Sequence, residues 1–408
     1  MDNTLGIYIH IPFCVKKCPY CDFYSIDLSK KYEEWQNNEN NNPNFDKKVE
    51  DVLHFSTESG VKEQFLWKLC EEIREKSKIF TEKTVDTIYF GGGTPSILEE
   101  NDIKRILDEI KHDFSVKKDG LEVVIEINPG TVSTKKMENY LKMGISVTSI
   151  GVQSLSDDVL RTLDRIHNKE QAVEAFKMAR NTGFKKISID LMFAIPGQTM
   201  EMWIDTVKQA IELNPQHISL YSLEFMEGTK FDNLRVEGKI KETDADIDRM
   251  MYETALDMLE EAGYIQYEIS NCAKPGFESK HNMKYWNLSE YIGFGPSAHS
   301  YYNHARYKNP ASLEEYISNP LNSECYSINS IEDDIIEYTF TGLRKAEGIK
   351  FSAFSNKFGK DFWEFYGEDI HNEFSSFVKT GYAEETENGI HLTRKGFNIS
   401  NRIMKLFV

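Results

Sequence analysis

Long apolar runs are missing from this sequence. Nothing in the 408 residues approaches the ~20 apolar residues that a membrane-spanning helix needs. The first predicted strand begins within a few residues of Met1, which leaves no room for a signal or transit peptide. We therefore expect a cytoplasmic protein with no integral membrane segment.

Basic residues are scarce relative to acidic ones. The chain has 48 Lys and Arg against 66 Asp and Glu, which gives a formal net charge of -18, and no polybasic run offsets it. Binding to nucleic acid depends on neutralising phosphates with basic side chains. The charge balance therefore predicts that nucleic acid is not a partner.

Cysteine is also rare, yet three of the six cysteines share one short loop. The apolar run Ile7–Ile11 predicts a strand that Pro12 ends. The loop after it carries Cys14, Cys18 and Cys21 in a C-x3-C-x2-C spacing. Three thiolates on a four-iron cluster leave one iron open to another ligand. The spacing favours a [4Fe-4S] cluster bound by these three cysteines.

Three other interpretations of the loop are weaker. A structural zinc site normally has four Cys or His ligands, and here only His10 lies near. Three cysteines cannot all pair in disulfides, and nothing indicates an oxidising compartment. An electron-transfer cluster would need a fourth cysteine. Cys70, Cys272 and Cys325 each stand alone, and a lone cysteine is most often a small buried side chain.

Strand-like and helix-like segments alternate beyond the loop, after a polar, Asn-rich stretch at residues 29–60 that predicts a mobile insertion. The apolar, β-branched runs predict six strands: Ile7–Ile11, Val85–Phe90, Glu122–Ile127, Val147–Val152, Lys186–Ile195 and His217–Phe225. Amphipathic helices are predicted between them, at residues 64–78, 99–113, 134–143, 170–182 and 201–213. This alternation indicates a parallel sheet with right-handed crossovers. Six units favour an α/β fold, a partial (β/α)6 barrel, although an open doubly wound sheet has the same alternation.

Unusual residues stand where these strands end, which is the edge at which parallel sheets bind ligands. Gly91-Gly92-Gly93-Thr94 follows the second strand, and its backbone without side chains would let a ligand approach closely. Glu126, Gln153 and Asp190 lie at or near the ends of the next three. Each alone could be a helix cap or a solvated loop residue. Their recurrence at one edge predicts a binding site.

The cysteine loop and its lead-in, Tyr8-x-His10-x-Pro12-Phe13, resemble those of the radical S-adenosylmethionine (SAM) enzymes. Within that superfamily the resemblance is to the group of oxygen-independent coproporphyrinogen III oxidases and HemW heme chaperones. It implies a radical-SAM barrel in which the open iron of a [4Fe-4S] cluster binds SAM. One electron from the cluster cleaves SAM to a 5′-deoxyadenosyl radical in that superfamily, while the protein orients the cofactors.

The resemblance also assigns residues to the SAM pocket, where Tyr20 contributes its backbone against the adenine. Nine positions match that pocket: Tyr8, Tyr20, Gly92, Gly93, Thr94, Glu126, Gln153, Arg165 and Asp190. A further segment, His281-Asn282-x-x-Tyr285-Trp286, matches the HNxxYW signature of the heme chaperones, in which the histidine is a candidate axial ligand of heme iron. Taken alone, a histidine beside aromatic residues is more often a packing residue.

The residues after Ser330 predict a smaller α+β, winged-helix-like domain. Its elements are a helix at Glu332–Glu347, a hairpin at Tyr382–Leu392 with Asn388-Gly389 at its turn, and a last helix after Gly396. The acidic balance argues against binding of DNA by this wing. Three regions are therefore expected: a barrel with its insertion at 1–230, a barrel-covering region with the heme signature at 231–330, and the C-terminal domain at 331–408.

Two functions compete. The first is a heme chaperone that binds a [4Fe-4S] cluster, SAM and heme, receives electrons from a donor and delivers heme to acceptor proteins. The alternative is an oxygen-independent coproporphyrinogen III oxidase, a dehydrogenase that decarboxylates two propionates. The oxidases have a fourth cysteine two residues after the third, where Phe23 stands here, and a long N-terminal arm that this chain lacks. These differences and the His281 signature favour the chaperone. A plain electron carrier would leave the glycine-rich loop, Glu126 and Asp190 without a role.

Overall fold

The computed structural model describes residues 3–30 and 60–408. The predicted Asn-rich insertion lies almost entirely outside the described residues. The described strands are β1 Thr4–Ile11, β2 Phe13–Cys14, β3 Ile26–Asp27, β4 Thr84–Gly92, β5 Ser115–Val116, β6 Glu122–Ile127, β7 Val147–Gln153, β8 Lys186–Phe193, β9 His217–Ser222, β10 Ile265–Glu268, β11 Asn271–Ala273, β12 Tyr291–Phe294, β13 His299–Tyr302, β14 Ala305–Lys308, β15 Glu324–Ile328, β16 Ile349–Lys350, β17 Ala383–Thr386 and β18 Gly389–Leu392.

The described α-helices are α1 Val61–Ser77, α2 Glu100–Asp113, α3 Thr134–Met143, α4 Asp157–Thr162, α5 Lys169–Thr182, α6 Met200–Leu213, α7 Lys230–Val236, α8 Ala245–Glu261, α9 Lys280–Trp286, α10 Leu313–Ser318, α11 Ile331–Gly342, α12 Phe351–Phe358, α13 Phe362–Lys379, α14 Arg394–Phe397 and α15 Ser400–Met404. Within the described residues, no helix is both long and apolar enough to cross a membrane.

The six predicted strands form one parallel sheet in the order β1-β4-β6-β7-β8-β9. The five predicted helices α1, α2, α3, α5 and α6 connect them. Every second residue of β1 from Leu5 to Ile11 is fully buried and packs in one core with the helical residues Phe65 and Leu69. These side chains face the helices outside the barrel, so the residues between them, such as Tyr8 and His10, point into it. The predicted α/β partial barrel is confirmed.

Polar caps at the helix ends explain why the helices begin and end close to the predicted positions. Asn168 and Gln171 form a reciprocal capping box at the start of α5, which satisfies backbone N–H groups that have no partner inside the helix. Gly183 ends the same helix at φ 107°, a left-handed conformation that costs glycine little. These local signals are visible in the sequence.

A seventh parallel strand was not predicted. β12 pairs in parallel with the outer edge of β1, and β13, β14 and β15 extend the sheet as an antiparallel meander. At the other edge, β11 and β10 add antiparallel to β9. The two edges of the sheet do not pair within the described residues, so the barrel is open on one side. Strands from 231–330 thus extend the sheet, and the boundaries near 230 and 330 stay a proposal.

The buried carboxylate of Glu72 fixes the start of the meander to α1. Its Oε2 accepts hydrogen bonds from the backbone N–H of Gly295 at 3.0 Å and from the Tyr316 hydroxyl at 2.6 Å. Its Oε1 accepts from Asn309 at 2.8 Å and from Lys76 at 2.6 Å. A buried carboxylate with four donors is fully satisfied, so this network holds the loop between β12 and β13 in one place.

The C-terminal residues form a second apolar core, which Leu288 and Tyr301 of the preceding region join, and they form the predicted wing. β17 and β18 form the hairpin, and β16 adds a third strand to it. The predicted helix at Glu332–Glu347 ends early, at Gly342. The reason is that the next residues pair with the barrel side, since Ile269 N–H donates to the Arg344 carbonyl. The last helices begin at Arg394, so Gly396 lies inside α14 instead of before it.

Candidate functional site

The cysteine loop is closed at its base by a short parallel pair of strands. β2, which contains Cys14, pairs with β3 on the far side of the loop. His10 adds a second closure, because its Nε2 lies 2.8 Å from the carbonyl oxygen of Tyr24. Inside the loop, the backbone N–H of Cys21 donates to the carbonyl of Cys18. The three thiols are therefore held together at the carboxyl end of β1.

The arrangement of the thiols does not suit a single metal ion. Among residues 3–30 and 60–408, no group of three or more His, Cys, Asp or Glu side chains is arranged to hold one ion. The ligands of one zinc must converge on a point, whereas the thiolates of a four-iron cluster each bind a different iron. The three thiols of this loop therefore lack the convergence on one point that a zinc ion would need.

A cavity of about 380 Å³ opens beside the loop and runs into the barrel. This volume lies in the range of small-molecule sites. Eleven of the predicted site residues line it: Cys14, Cys18, Tyr20, Cys21, Gly92, Gly93, Thr94, Glu126, Gln153, Arg165 and Asp190. Tyr8 and His281 are not among its lining residues. The structure thus brings most of the predicted site together.

The glycines of the glycine-rich loop also pack closely against the protein's own backbone and side chains. A Cβ on Gly93 would lie 2.7 Å from the carbonyl oxygen of Phe13 and 2.8 Å from that of Ile11, and one on Gly92 would lie 2.6 Å from the His10 ring. Gly92 also has φ 104°. Glycine is needed here because the protein's own backbone packs against the loop, although Gly92 and Gly93 also line the cavity.

Replacing Gly93 by alanine is therefore expected to destabilise the protein by about 1–3 kcal/mol, as overpacking does, and to lower its iron content after reconstitution. The new methyl group would push away the backbone on either side of Pro12, which leads into Cys14. Urea denaturation and iron analysis would measure both effects. Gly130→Ala is the control, since its nearest neighbours are 3.8 Å from the added Cβ. Equal stability of the two variants would contradict this role.

Burial affects the protonation of the loop thiols. It raises the pKa of the Cys14 thiol, and it raises that of Cys21 to about 12. Thiolates, not thiols, bind iron, so metal binding here must release protons. Thr94 Oγ1 lies 3.5 Å from Cys14 Sγ and can donate to the thiolate.

The three other cysteines differ in their burial. Cys70 and Cys272 are buried as predicted, whereas Cys325 is exposed, because it lies on the edge strand β15.

Two carboxyl groups line the cavity from β6 and β8, the strands on either side of β7. Glu126 Oε1 accepts a hydrogen bond from the Tyr89 hydroxyl at 2.9 Å, and Asp190 accepts from Ser149 at 3.1 Å. Burial and then the charge of Asp190 raise the pKa of Glu126 to about 8. Burial likewise raises the pKa of Asp190. A cationic ligand group between these carboxyl groups would relieve both the desolvation and the repulsion.

Arg165 and Gln153 line the same cavity, and each has a buried polar atom without a partner. Arg165 donates to Cys18 Sγ at 3.3 Å and to the Gly151 carbonyl at 3.0 Å, but its buried Nε has no partner. Gln153 has φ 61°, an uncommon conformation for a side-chain-bearing residue, and its Oε1 is also buried without a partner. Buried polar atoms normally have hydrogen-bond partners, and a polar ligand in this cavity would supply them.

Tyr8 lies behind the cavity instead of in it. Its hydroxyl is 3.1 Å from Nδ1 of His10, and its ring stacks on Tyr89 with centroids 6.2 Å apart. Tyr8 therefore positions His10 and, through it, the closure of the cysteine loop. Tyr20 does line the cavity, where its ring packs 6.2 Å from that of Phe231.

His281 lies at the opposite end of the barrel from the cysteines. It lies in the first turn of α9, which covers the amino-terminal ends of the strands, and it is 1 % exposed. Nδ1 lies 2.8 Å from Thr87 Oγ1, and Nε2 lies 2.8 Å from the Tyr285 hydroxyl. Burial lowers the pKa of the imidazole to about 3. Both ring nitrogens are thus occupied, and the HNxxYW segment forms a floor to the barrel.

The sequence analysis missed several polar residues that line the cavity deeper in the barrel. Lys186, Ser188, His217 and Ser219 line it together with Ser149. A signal for them exists in the sequence, because polar residues alternate with apolar ones in β8 and β9, and alternate residues of a strand share a face. The interior of this barrel is therefore polar over most of its depth.

Comparisons with known proteins agree with this geometry. The radical SAM superfamily profile matches residues 8–210, and the HemN C-terminal domain profile matches residues 330–399. A protein named heme chaperone HemW from Lactococcus lactis is 32% identical over 408 residues, covering 98% of this chain and 96% of its own length. The protein of that name from Bacillus subtilis is 32% identical, with 98% of both chains covered. The chain belongs to the HemW family of radical SAM proteins.

A solved structure supports the fold of this HemW-family protein. Coproporphyrinogen III oxidase (HemN) from Escherichia coli, described as a radical SAM enzyme, aligns with a TM-score of 0.79, covering 100% of this chain and 90% of its own. The identity is 21%, so the likeness concerns the fold alone. The resemblance to radical SAM enzymes that the cysteine loop suggested is confirmed.

Radical SAM proteins use a [4Fe-4S] cluster that supplies an electron to SAM, and the residues of the HemW-family cavity fit both groups. Three thiols without a fourth could hold such a cluster and leave one iron open. The unpartnered atoms of Gln153 and Arg165 could bind polar groups of SAM. Glu126 and Asp190 could face its positively charged groups.

Proposed function

We propose that this protein binds heme in addition to the [4Fe-4S] cluster and SAM, and that it delivers the heme to acceptor proteins. Relatives named heme chaperone HemW match it along at least 96% of their length in the two cases described above. The alternative, oxygen-independent coproporphyrinogen III oxidase, is supported by the resemblance of the fold to HemN, which is shared by proteins of different function.

Phe23 is the observation that separates the two functions. In the oxidases that this chain resembles, a cysteine stands at this position, two residues after the third cluster ligand. Here the side chain is 61% exposed and lines the mouth of the cavity. A phenyl ring can neither bind metal nor transfer a proton. It instead offers an exposed apolar surface at the mouth, which suits contact with a partner or a flat ligand.

The cofactor residues follow from the same proposal. Cys14, Cys18 and Cys21 hold the cluster, and Glu126, Gln153, Arg165 and Asp190 bind SAM, with Thr94 and the backbone of Tyr20, Gly92 and Gly93 around it. A reducing compartment, the cytoplasm, would keep the half-buried thiols intact. An electron-donor protein is required to reduce the cluster. The net charge of -18 argues against a nucleic acid partner.

The proposal predicts that reconstituted protein binds hemin at about one per chain, the stoichiometry of a single axial-ligand site. Titration followed by the Soret absorbance would measure it. Heme should then pass from the loaded protein to apomyoglobin faster than it passes from serum albumin. Serum albumin, a non-specific carrier of heme, is the control. The same preparation should not decarboxylate coproporphyrinogen III when SAM and dithionite are supplied.

Turnover of coproporphyrinogen III to protoporphyrinogen IX would reverse the ranking and make the oxidase the better assignment. Absence of heme binding by protein that carries cluster and SAM would contradict the chaperone function.

The identity of the axial ligand, predicted as His281, does not affect these outcomes. Ligation by His281 would require the loss of its hydrogen bond to Thr87 or to Tyr285 and the opening of the barrel floor.

A further inference from the structure

The geometry points to His299 as the iron ligand of a heme site on the outer meander of the sheet, with Tyr326 holding its ring in place. The inference rests on the proposed function and adds the location of the site. It is carried by the surroundings of each histidine, by one hydrogen bond between β13 and β15, and by the charges around it.

Most histidines of the described residues are unsuited to bind an anionic porphyrin. Four are buried, with one or both ring nitrogens close to protein oxygen atoms: His10, His167, His217 and His281. Four lie beside a carboxylate, which would repel the propionates: His112, His304, His371 and His391. Among residues 3–30 and 60–408, His299 is the remaining one, and it is exposed.

The ring of His299 is already oriented as a metal ligand should be. Nδ1 lies 3.3 Å from the Tyr326 hydroxyl, and the two rings meet edge to face with centroids 5.7 Å apart. Within the described residues, no hydrogen bond occupies Nε2. Ligating histidines usually use the second nitrogen for a bond that fixes the tautomer and the ring orientation. Tyr326, which is 44% exposed, supplies that partner here.

The charges around His299 offer one exposed cation to a propionate. Lys308 stands directly opposite His299 in the register of β13 and β14, whereas Arg306 on the same strand is paired with Glu337. Partial burial and then these two cations lower the pKa of the imidazole, so it is neutral and has a lone pair to give near pH 7. The Lys308–Glu324 pair is exposed on both sides. Such a pair is weak, so a propionate can replace Glu324.

The position of His299 suits a ligand that must be passed on. β12 runs parallel to β1, so the return strand β13 begins at the same end of the sheet as the cysteines. The loop before it packs on His10, because a Cβ on Gly295 would lie 2.4 Å from the His10 carbonyl oxygen, and Glu72 accepts from its backbone. A rigid base thus presents an exposed imidazole, from which an acceptor can take iron porphyrin without the opening of a core.

A second cavity near the cysteine loop, separate from the one that the predicted site residues line, is a poorer alternative for heme. It measures about 740 Å³, and no histidine lines it. Its charged lining residues are the four acids Asp22, Glu224, Glu242 and Asp248 against the single cation Arg249. The two propionates of heme would meet net repulsion there.

Hemin titration of the reconstituted full-length protein tests the inference. His299→Ala should weaken binding by more than about 100-fold and shift the Soret band, because a direct ligand is lost, whereas loss of a supporting partner costs roughly 10–100-fold. Tyr326→Phe should weaken binding by about tenfold and leave the Soret position unchanged. His304→Ala, on the adjoining turn, is the matched control and should bind as the wild type does. Added imidazole should restore the wild-type spectrum of His299→Ala.

The outcomes separate this inference from the proposed function. If wild-type protein binds heme and His299→Ala binds it with the same affinity and spectrum, the ligand lies elsewhere and the chaperone assignment stands. If wild-type protein with cluster and SAM binds no heme, the proposed function itself fails. A spectral shift in Tyr326→Phe equal to that in His299→Ala would overturn the division of roles, making Tyr326 the ligand.

Discussion

Protein with Cys18→Ala, reconstituted with iron and sulfide, is expected to contain almost no cluster, whereas the wild type should contain about four irons per chain. Cys18 lies between the other two ligands in the loop and lines the same cavity. Two thiolates cannot replace three around a cubane, and the described residues offer no further cysteine in that cavity. Iron and sulfide analysis with the visible absorption of the cluster would measure the loss.

Cys325→Ala is the matched control for this result, since Cys325 is exposed on β15 and far along the chain from the loop. It should retain the full iron and sulfide content. Cys70→Ala should retain the cluster as well, although removal of a buried side chain will cost some stability. A full complement of iron in Cys18→Ala, or its loss in Cys325→Ala, would show that the assignment of ligands is wrong.

The barrel could be predicted from the sequence because its signals are local. Each of the six strands is an apolar run that ends in Gly, Pro or polar residues, and most of the helices between them have caps such as Asn168 and Gly183. The seventh strand, β12, escaped prediction because it has only four residues and contains Gly293. Its position is determined by pairing with β1, which lies nearly 300 residues earlier in the chain, and no local pattern encodes such a partner.

In the candidate site, too, the features encoded by nearby residues could be predicted and the long-range contacts could not. Cys14, Cys18 and Cys21 are close in sequence, so their proximity in space was predictable, and residues at strand ends meet because parallel strands share an edge. The environment of single side chains was not predictable. His281 is hydrogen-bonded to Thr87, 194 residues away. The clash that requires glycine at position 93 involves the backbone of another strand. Contacts of this kind decide whether a histidine is a ligand or part of a floor.

Glu126→Gln is expected to make the protein without ligands more stable at alkaline pH and to weaken its binding of SAM. In the folded protein the pKa of Glu126 is raised to about 8, by burial first and by Asp190 second, from an ordinary value of 4.5. Below pH 4.5 the carboxyl is protonated in both the folded protein and the unfolded chain, so its ionisation takes nothing from the stability of the fold. Between pH 4.5 and 8 the unfolded chain ionises while the folded protein keeps its proton, so stability falls as the pH rises.

Above pH 8 this loss of stability is complete, and it amounts to on the order of 5 kcal/mol, because one pKa unit corresponds to about 1.4 kcal/mol. Glutamine keeps the shape and has no charge to desolvate, so the variant should lack this decline. Urea denaturation of the wild type and of Glu126→Gln at pH 6 and pH 9 would measure it. Glu138→Gln, on the exposed face of α3, is the control and should follow the wild type.

Binding of SAM should show the opposite dependence on pH. Its positively charged groups favour an ionised Glu126, so the affinity of the reconstituted wild type should rise between pH 6 and pH 9, while that of Glu126→Gln should be lower and nearly flat. Calorimetry with SAM measures both, and the iron content should not change, since Glu126 is not a proposed iron ligand. A rise in affinity that survives in Glu126→Gln would assign the titration to Asp190, and Asp190→Asn would then abolish it. No rise in either background would mean that SAM does not meet these carboxyl groups.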